Sequence, residues 1–224
     1  MMDKFTSAKN YDRDYFENGI VNGVSGYMNY SWMPELTLRM VHFMIKHLPL
    51  LPGQTILDYG CAKGYMVKAL RILEHEAHGV DISGYAISNA DGSVRDYCRL
   101  ISGGDDENLF DRHYDWVISK DVFEHIYEPE LGRLLETSIQ HVDRIFSVIP
   151  VAVDDQCGEY LIPEYNRDAT HVIAKSMSWW RNFFQSCGWE VEQMTNEFPG
   201  CKESWTSRWK NGNAFFILSS EPGT

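Results

Sequence analysis

The sequence predicts an α/β protein with a doubly wound, mostly parallel sheet of seven strands and an antiparallel strand at the C-terminal end. Three observations support this fold class. Short apolar runs alternate with segments in which apolar residues recur at helical spacing. The first run, TILDYG, leads into a turn that contains Gly60 and Gly64. The last two runs, WEVEQM and NAFFILSS, have no helical pattern between them, which predicts an antiparallel pair at one edge.

The N-terminal part of the chain is aromatic and polar and shows no helical or strand period up to about residue 33. Pro34 then predicts the start of a helix, because proline suits the first helical position. The apolar face of this helix consists of Leu36, Met40, Phe43, Met44 and Leu48. We expect residues 1–50, the aromatic segment with this helix, to form a lid over the main domain, residues 51–224.

The first half of the main domain reads as strand, helix and strand. TILDYG predicts a buried strand, and the glycine turn after it opens a helix. The apolar positions of that helix are Met66, Val67, Leu70 and Leu73. AHGVDIS predicts a second strand that ends at Asp81, and a short helix follows at residues 86–90. VRDYCRLI predicts a third strand, and GGDDENLFDRH is typical of a loop.

The second half continues the alternation up to an irregular stretch. YDWVIS and RIFSVIPV predict the fourth and fifth strands, with a helix over residues 129–141 between them. Residues 151–175 have little period, and we expect them to be an insertion on the acceptor side of the domain. Ser178 is a candidate N-cap for a helix that ends at Gly188.

Composition excludes several classes of protein. The chain has 224 residues and a formal net charge of -12, and such a surface repels nucleic-acid phosphates. The five cysteines are dispersed without a C-x-x-C pair, which predicts reduced thiols and no zinc site. The sequence contains no signal-peptide pattern and no apolar run long enough for a bilayer, so we expect a cytoplasmic protein that does not bind membranes.

The glycine turn predicts that a ligand approaches the backbone closely. The spacing G-x-x-x-G between Gly60 and Gly64 differs from the G-x-G-x-x-G of dinucleotide-binding proteins. In a doubly wound sheet, ligands bind at the carboxyl ends of the strands. Asp81 leaves the second strand at that edge, where an acid can accept both hydrogen bonds of a ribose diol. These features indicate a nucleoside ligand without identifying it.

Three motifs in order then resemble a known family. ILDYGCAKG, GVDIS and YDWVISKDVFEHI look like the successive motifs of class I S-adenosylmethionine-dependent methyltransferases, over residues 54–219. The branch that methylates small molecules and sugars is the most similar, because YDRDYFENG and the later Asp168-Ala169-Thr170-His171 resemble its motifs. The resemblance implies a Rossmann-like fold and S-adenosyl-L-methionine as cofactor.

The resemblance also implies roles at the cofactor site. It assigns the residues from Asp58 through the glycine turn to the methionine end, Asp81 to the ribose hydroxyls and Ile82 to the adenine. The full set of implied cofactor-binding residues is Asp58, Gly60, Cys61, Ala62, Gly64, Asp81, Ile82, Asp105, Ser119, Lys120, Tyr27 and Arg39. Asp106 is an alternative to Asp105 at the adenine amino group. Ala62 departs from the family, where many members carry a third glycine.

Candidate catalytic residues are two histidines and one carboxylate. His171 and His125 follow the fifth and fourth strands, and histidine suits a general base near neutral pH. Each has an alternative role, His171 in packing the insertion and His125 in shaping a turn. Asp168 orients His171 if the segment turns there, or else is a solvated carboxylate. Asp121 and Glu124 are too few carboxylates for a metal centre of the catechol-methyltransferase type, so no metal is expected.

The predicted function is methyl transfer to an oxygen or nitrogen of a small polar acceptor, with a sugar or glycan unit as one candidate. SKDV replaces the Asn/Asp-Pro-Pro-aromatic turn of amino-directed DNA methyltransferases, and no Pro-Cys nucleophile of the cytosine-C5 enzymes occurs. Two alternatives remain open. One is methylation of a protein or, against the acidic charge, of RNA. The other is a protein of this fold that binds cofactor or partners without catalysis.

Overall fold

The computed structural model of the chain describes residues 7–220. Residues 1–6 and 221–224, the outer ends of the two expected domains, lie outside the described part. Residues 7–220 form a seven-stranded sheet with the strand order β3-β2-β1-β4-β5-β7-β6. The strands are β1 Thr55–Tyr59, β2 Glu76–Asp81, β3 Cys98–Leu100, β4 Tyr114–Lys120, β5 Val142–Pro150, β6 Glu190–Thr195 and β7 Asn213–Ser219.

Helices lie on both faces of the sheet. They are α1 Arg13–Glu17, α2 Gly19–Asn22, α3 Pro34–His47, α4 Tyr65–Ile72, α5 Gly84–Ser88, α6 Glu128–Ser138, α7 Met177–Ser186 and α8 Glu203–Arg208. Short 3₁₀ turns are Ala8–Asn10, Arg95–Tyr97, Phe123–His125 and Pro163–Arg167. None of the helices in residues 7–220 has the length and apolarity that a membrane span requires.

The apolar core is divided by the sheet into two layers. On one face α3 and α4 bury side chains such as Met44 and Leu70 against the sheet. On the other face α6 and α7 bury side chains such as Leu135 and Trp180. Burying both faces of a parallel sheet requires strands that are apolar throughout, which is the pattern of β4 and β5. The predicted doubly wound fold is confirmed.

The sheet is parallel from β3 to β5, whereas β7 runs antiparallel to both β5 and β6. The strand order reverses between β1 and β4, so a crevice opens where their carboxyl ends diverge. The predicted pairing of the last two strands is therefore confirmed. β7 is nevertheless an inner strand, and the short helix α8 lies between the two, which corrects the expectation of a direct hairpin at the edge.

Two further element boundaries differ from the prediction. The third strand is limited to Cys98–Leu100, because Arg95–Tyr97 before it form a 3₁₀ turn. The helix expected after Ser178 begins at Met177, and Ser176 is its N-cap through an Oγ that accepts a hydrogen bond from the Trp179 amide. The segment expected as an insertion after β5 contains the bridge Ala152–Tyr160 and the 3₁₀ turn Pro163–Arg167.

Candidate functional site

The glycine turn after β1 is required by its surroundings. Gly60 has a φ of 82°, and a Cβ atom there would lie 2.4 Å from a methyl carbon of Val122. A side chain at this position would therefore meet both backbone strain and a steric overlap. The amides of Gly60 and Cys61 both donate to the Val80 carbonyl, which fixes the turn against β2.

Asp81 holds the opposite side of this turn. Its carboxylate accepts hydrogen bonds from the Ala62 amide at 2.8 Å and the Ser83 amide at 2.7 Å. Burial raises the pKa of Asp81, while these backbone amides favour the charged form. Each carboxylate oxygen has a second lone pair, so Asp81 can still accept hydrogen bonds from a vicinal diol.

Asp58 lies at the end of β1 with one unpartnered oxygen. Its side chain is buried, and no hydrogen-bond donor among the described residues reaches Oδ2. Burial raises the pKa of Asp58 to about 7; the nearby Asp81 carboxylate adds to this shift and Lys120 opposes it. A cationic group bound here would supply the missing partner.

A cleft of about 760 Å³ opens over the turn. Its floor includes Gly60, Ala62 and Asp81, and its apolar wall includes Ile82 and Ile101. The other described lining residues are Tyr11, Tyr15, Phe16, Tyr27, Tyr59, Val80, Ser102, Gly103, Gly104, Asp121, Val122, His125, Ile126 and Glu130.

The N-terminal segment, which we define as residues 7–33, covers part of this cleft. Tyr11, Tyr15, Phe16 and Tyr27 line it, and their rings pack against one another. Burial raises the pKa of Tyr11 and, to about 12, that of Tyr27, so both phenols stay protonated.

Polar contacts fasten the N-terminal segment to the cofactor side of the cleft. The Lys63 ammonium lies 2.5 Å from a Glu17 carboxylate oxygen and donates to the Tyr30 carbonyl. The Ser83 hydroxyl donates to the Tyr11 carbonyl, and the Tyr85 hydroxyl donates to Glu17. The glycine turn after β1 and the residues that follow β2 therefore hold the N-terminal segment in place.

Two histidines with defined tautomers lie next to each other, and one of them, His125, lines the cleft. The Thr170 hydroxyl donates its only proton to Asp168, so it accepts from His125 Nδ1 at 2.8 Å. His171 Nδ1 lies 2.9 Å from the Tyr165 carbonyl, which can only accept. Both rings therefore carry the proton on Nδ1 and the lone pair on Nε2. Burial lowers the pKa of His171 and, with the neighbouring His171 ring, lowers that of His125 to about 4, so both rings are neutral.

The position of Asp168 corrects one expectation. Its carboxylate accepts hydrogen bonds from the Thr170 hydroxyl and amide and from the Tyr15 hydroxyl. It therefore orients His125 through Thr170, whereas the Tyr165 carbonyl orients His171. The Tyr15 contact also joins the N-terminal segment to this side of the site.

Glu124 lies next to the two rings. Its carboxyl side chain is 1% exposed, and neither oxygen has a hydrogen-bond partner among the described residues. Oε1 is 4.0 Å from His171 Nε2. Burial, together with the nearby Asp121 charge, raises the pKa of Glu124.

A second cavity of about 680 Å³ lies within the segment that follows β5. Tyr160 and Tyr165 contribute aromatic rings, and Asp168 and His171 contribute polar atoms from the site. The other described lining residues are Asp155, Gln156, Gly158, Asn166, Val172, Ala174 and Lys175. All of these residues belong to the segment after β5, and the two histidines lie between this cavity and the cleft, since His125 lines the first and His171 the second.

Asp121, the residue after β4, lies at the centre of a cluster of charged side chains. It has a φ of 57° and forms ion pairs with both Lys120 and Lys202. These ammonium groups hold the pKa of Asp121 well below its usual range. Lys202 also donates to the Tyr165 hydroxyl at 2.6 Å, so the cluster braces the wall of the second cavity.

The structure brings only part of the predicted site to the cleft. Gly60, Ala62, Asp81, Ile82, Tyr27 and His125 line it. Asp58 lies beneath the turn. Cys61 packs against Gly79 of β2, and Gly64 packs close to Cys98, so both contribute backbone geometry. Ser119 is fully buried, and Lys120 pairs with Asp121.

Arg39 and Asp105, two further predicted cofactor contacts, also lie outside the described lining of the cleft. Arg39 forms an ion pair with Glu203 at 2.6 Å, and its side chain is about half exposed. Asp105 is exposed, whereas Asp106 caps its own loop by accepting from the Ser102 amide. Glu130 lines the cleft near this loop instead.

Sequence reasoning missed several residues of the site. Lys63 stands inside the quoted glycine turn, so the local sequence contained a signal for it, whereas Glu124 was named only as one of two carboxylates too few for a metal centre. Tyr165 and Lys202 carry no such signal, because tertiary packing alone brings them to Asp121.

Comparisons with known proteins agree with this architecture. A family model described as a methyltransferase domain matches residues 29–193, well over half of the chain. A chain from the complex between the Haloferax volcanii Trm112 methyltransferase activator and a methyltransferase is similar in fold, with a TM-score of 0.63 and 16% identity over 85% of this chain and 92% of the other. Among curated proteins, no sequence matches this chain.

Two further solved structures have the same fold. The SAM-dependent methyltransferase from Archaeoglobus fulgidus has a TM-score of 0.62 and 15% identity, over 81% of this chain and 94% of that one. The [4+2]-cyclase SpnF has a TM-score of 0.62 and 12% identity, over 90% of this chain and 88% of that one. At such identities these likenesses show the fold alone.

Proposed function

The chain belongs to the class I S-adenosylmethionine-dependent methyltransferases, and we propose that it methylates an oxygen or nitrogen of a small polar acceptor, with a sugar hydroxyl as the favoured group. One observation carries the proposal. Two neutral imidazoles, each with its lone pair on Nε2, lie between the cleft over the glycine turn and a second, polar cavity.

The residues that line and underlie the cleft match the chemistry of the cofactor. Asp81 has lone pairs for the ribose diol, and the unpartnered Oδ2 of Asp58 suits the ammonium of the methionine end. The apolar Ile82 and Ile101 suit the adenine ring. When bound, S-adenosylmethionine supplies a methyl group that its sulfonium has already activated.

The two histidines supply a general base for the transfer. A hydroxyl held beside Nε2 of His171 or His125 can give its proton to the ring as its oxygen attacks. Asp168 acts as a positioning residue, since it fixes the tautomer of His125 through Thr170. Holding the acceptor in line with the methyl group supplies the rest of the rate enhancement.

The N-terminal segment keeps water from the reacting atoms. Its tyrosines and Phe16 close one side of the cleft with apolar ring surface. Excluding water strengthens the electrostatic interactions inside the site and prevents hydrolysis. This arrangement supports the role of a lid expected for this part of the chain.

The second cavity favours a polyhydroxylated acceptor. Tyrosine rings offer flat apolar surface, and Gln156, Asn166 and Asp168 offer hydrogen-bonding groups around them. A sugar ring presents the same combination of apolar C–H faces and hydroxyl edges. This match supports a sugar over an apolar acceptor.

The experiment is a methyl-transfer assay with S-adenosylmethionine and a panel of free and nucleotide-activated sugars. Formation of S-adenosylhomocysteine, above an acceptor-free blank, would be followed together with the product mass. We expect turnover with at least one sugar and a mass increase of one CH₂ unit. Calorimetric titration with S-adenosylhomocysteine checks the cofactor site separately.

Variants separate the catalytic role of His171 from cofactor binding. His171→Ala should lower kcat at least about 100-fold while cofactor affinity stays unchanged. His42→Ala, an exposed histidine on α3, is the matched control and should behave as wild type. Cofactor binding without turnover on any sugar, amine or peptide acceptor would contradict the proposal and favour a non-catalytic protein of this fold.

A further inference from the structure

Three potential metal ligands meet at the edge of the acceptor cavity. Glu124, His125 and His171 each offer an atom, and these atoms lie within 4.8 Å of one another. Oε1 of Glu124 and Nε2 of His171 are 4.0 Å apart, and the two imidazole centroids are 4.5 Å apart. The sequence predicted no metal, because its carboxylates near this position are few and the two histidines lie far apart in the chain.

The carboxylate of Glu124 gives the first reason to expect a cation. It is fully buried, and no donor among residues 7–220 reaches either of its oxygens. A buried polar group without a partner is costly, and buried carboxylates are normally paired or bound to a metal. The pocket around Glu124 thus lacks the positive partner that its chemistry requires.

The imidazoles give a second, independent reason. His171 Nδ1 donates to the Tyr165 carbonyl, and His125 Nδ1 donates to Thr170, which is held by Asp168. This is the arrangement found around metal-bound histidines, where the distal nitrogen is fixed so that the other can coordinate. Both rings therefore contribute one nitrogen each to the cluster of potential ligands.

Backbone hydrogen bonds fix the positions of the residues that carry these ligands. The Glu124 carbonyl accepts hydrogen bonds from the amides of Val172 and Ile173 at 2.8 and 3.1 Å. The 3₁₀ turn after β4 and the segment after β5 are therefore joined at the point where the ligands meet. Such a junction keeps His171 beside Glu124.

The surrounding charges permit a cation. The groups that act electrostatically on the cluster are Asp121, Asp168, Lys120 and Lys202. Two carboxylates and two ammonium groups cancel, so an ionised Glu124 leaves one negative charge for a cation to offset. From this geometry we propose that Glu124, His125 and His171 bind a divalent metal ion of the first transition row.

The donor set selects the class of metal. Two imidazoles and one carboxylate suit Zn²⁺, Co²⁺ or Mn²⁺, whereas Mg²⁺ prefers oxygen ligands alone. An ion with bonds of about 2.1 Å keeps its ligands about 3.4 Å apart in tetrahedral geometry, so side-chain shifts of about 1 Å close the site. Three protein ligands also leave coordination positions open.

The role of the ion rests on the proposed function, although its binding does not. An acceptor hydroxyl on an open position would lose its proton more easily, since a bound divalent ion lowers the pKa of coordinated oxygen. The imidazoles would then hold the ion rather than take the proton themselves. A sugar with neighbouring hydroxyls can occupy two positions at once, which would favour a diol acceptor.

The test is metal binding by chelator-treated protein. Calorimetric titration with Zn²⁺, Co²⁺, Mn²⁺ and Mg²⁺ should show an equimolar site for the first three and weaker binding of Mg²⁺. The visible absorption of bound Co²⁺ should report nitrogen ligands. Glu124→Gln, which keeps the shape of the side chain, and His171→Ala should each weaken Zn²⁺ binding at least about 100-fold. His42→Ala should bind Zn²⁺ as wild type does.

Parallel titration with S-adenosylhomocysteine separates this inference from the proposed function and shows that each variant is folded. Metal binding lost in Glu124→Gln, with cofactor affinity intact, supports the ion site whether or not an acceptor is found. A folded wild type that binds none of the four ions, or variants that bind Zn²⁺ as wild type does, would overturn it and leave methyl transfer standing.

Discussion

Lys63 in the glycine turn and Glu17 at the end of α1 form an ion pair of 2.5 Å, with both side chains largely buried. The turn that approaches the cofactor is thus bonded directly to the segment that covers it. Because both groups are held away from solvent, removing one of them leaves the other without its main partner.

The first prediction concerns this ion pair. Glu17→Gln should weaken S-adenosylhomocysteine binding about tenfold, which corresponds to about 1.4 kcal/mol, because the N-terminal segment loses its attachment to the turn. Calorimetric titration measures the affinity. Glu136→Gln, an exposed glutamate on α6, is the control and should leave it unchanged. Equal affinities of Glu17→Gln and wild type would show that the segment is held by other contacts.

The second prediction concerns the conformation of the turn. Gly60→Ala should destabilise the protein by about 2–4 kcal/mol and remove cofactor binding, since it combines a positive φ with an overlap against Val122. Gly92→Ala is the matched control, because nothing lies within 4 Å of a Cβ there. Urea unfolding and cofactor titration are the measurements. If Gly60→Ala bound the cofactor as wild type does, the cofactor could not approach the backbone of this turn as closely as we infer.

The third prediction is a pH dependence at Asp58. Its pKa in the folded state is raised from an ordinary 3.8 to about 7, so its contribution to stability is complete below the ordinary value and is lost as the pH rises through about 7. The groups that act on it are Asp81, which raises the pKa, and Lys120, which lowers it. Asp58→Asn removes the group that must either stay protonated or carry a buried charge, so it should stabilise the cofactor-free protein more at pH 8 than at pH 5.

The size of this effect should be about 1–3 kcal/mol by urea unfolding at the two pH values. Cofactor affinity should fall in the same variant, because the ammonium of the methionine end loses its partner. Asp96→Asn, at an exposed position, is the control and should show neither change. Equal stabilisation at both pH values would contradict the raised pKa, because it would mean that Asp58 is already ionised in the folded state at pH 5.

The fourth prediction concerns the contact between the N-terminal segment and the acceptor side. The Tyr15 hydroxyl donates to Asp168 at 3.1 Å, and Tyr15→Phe removes that bond while keeping the ring. We expect about a fivefold loss in kcat/KM for the acceptor, or about 1 kcal/mol, with unchanged cofactor affinity.

Tyr114→Phe is the matched control for this variant. It removes a hydroxyl bond of 2.7 Å to Asp111 at the opposite end of β4, so it should leave kcat/KM unchanged. A Tyr15→Phe protein that binds cofactor more weakly but keeps the wild-type kcat/KM for the acceptor would contradict this prediction. The hydroxyl would then act on cofactor binding instead.

Local patterns account for what the sequence could predict of the fold. Strand and helix periodicity located six strands well, and the glycine turn with Asp81 located the cleft, because each depends on neighbouring residues. The third strand was shorter than predicted since Arg95–Tyr97 form a 3₁₀ turn. The helix α8 has no buried residue, so its sequence lacks the apolar stripe by which helices are recognised.

The acceptor side was less predictable for a physical reason. Asp168 lies three positions before His171 but acts on His125, since the chain folds Thr170 between them. The pairing of Lys202 with Asp121 joins residues far apart in sequence. Such contacts arise from the packing of the segment after β5, which has no period to reveal its path.

The N-terminal segment is fastened to the glycine turn through Glu17 and Tyr30 and to Asp168 through Tyr15, so a single flap closes both halves of the site. Spent cofactor and methylated product are then released by the same opening motion. We therefore expect the turnover rate to depend on how often this flap lifts, and the residence time of S-adenosylhomocysteine to shorten when the fastening to the glycine turn is cut.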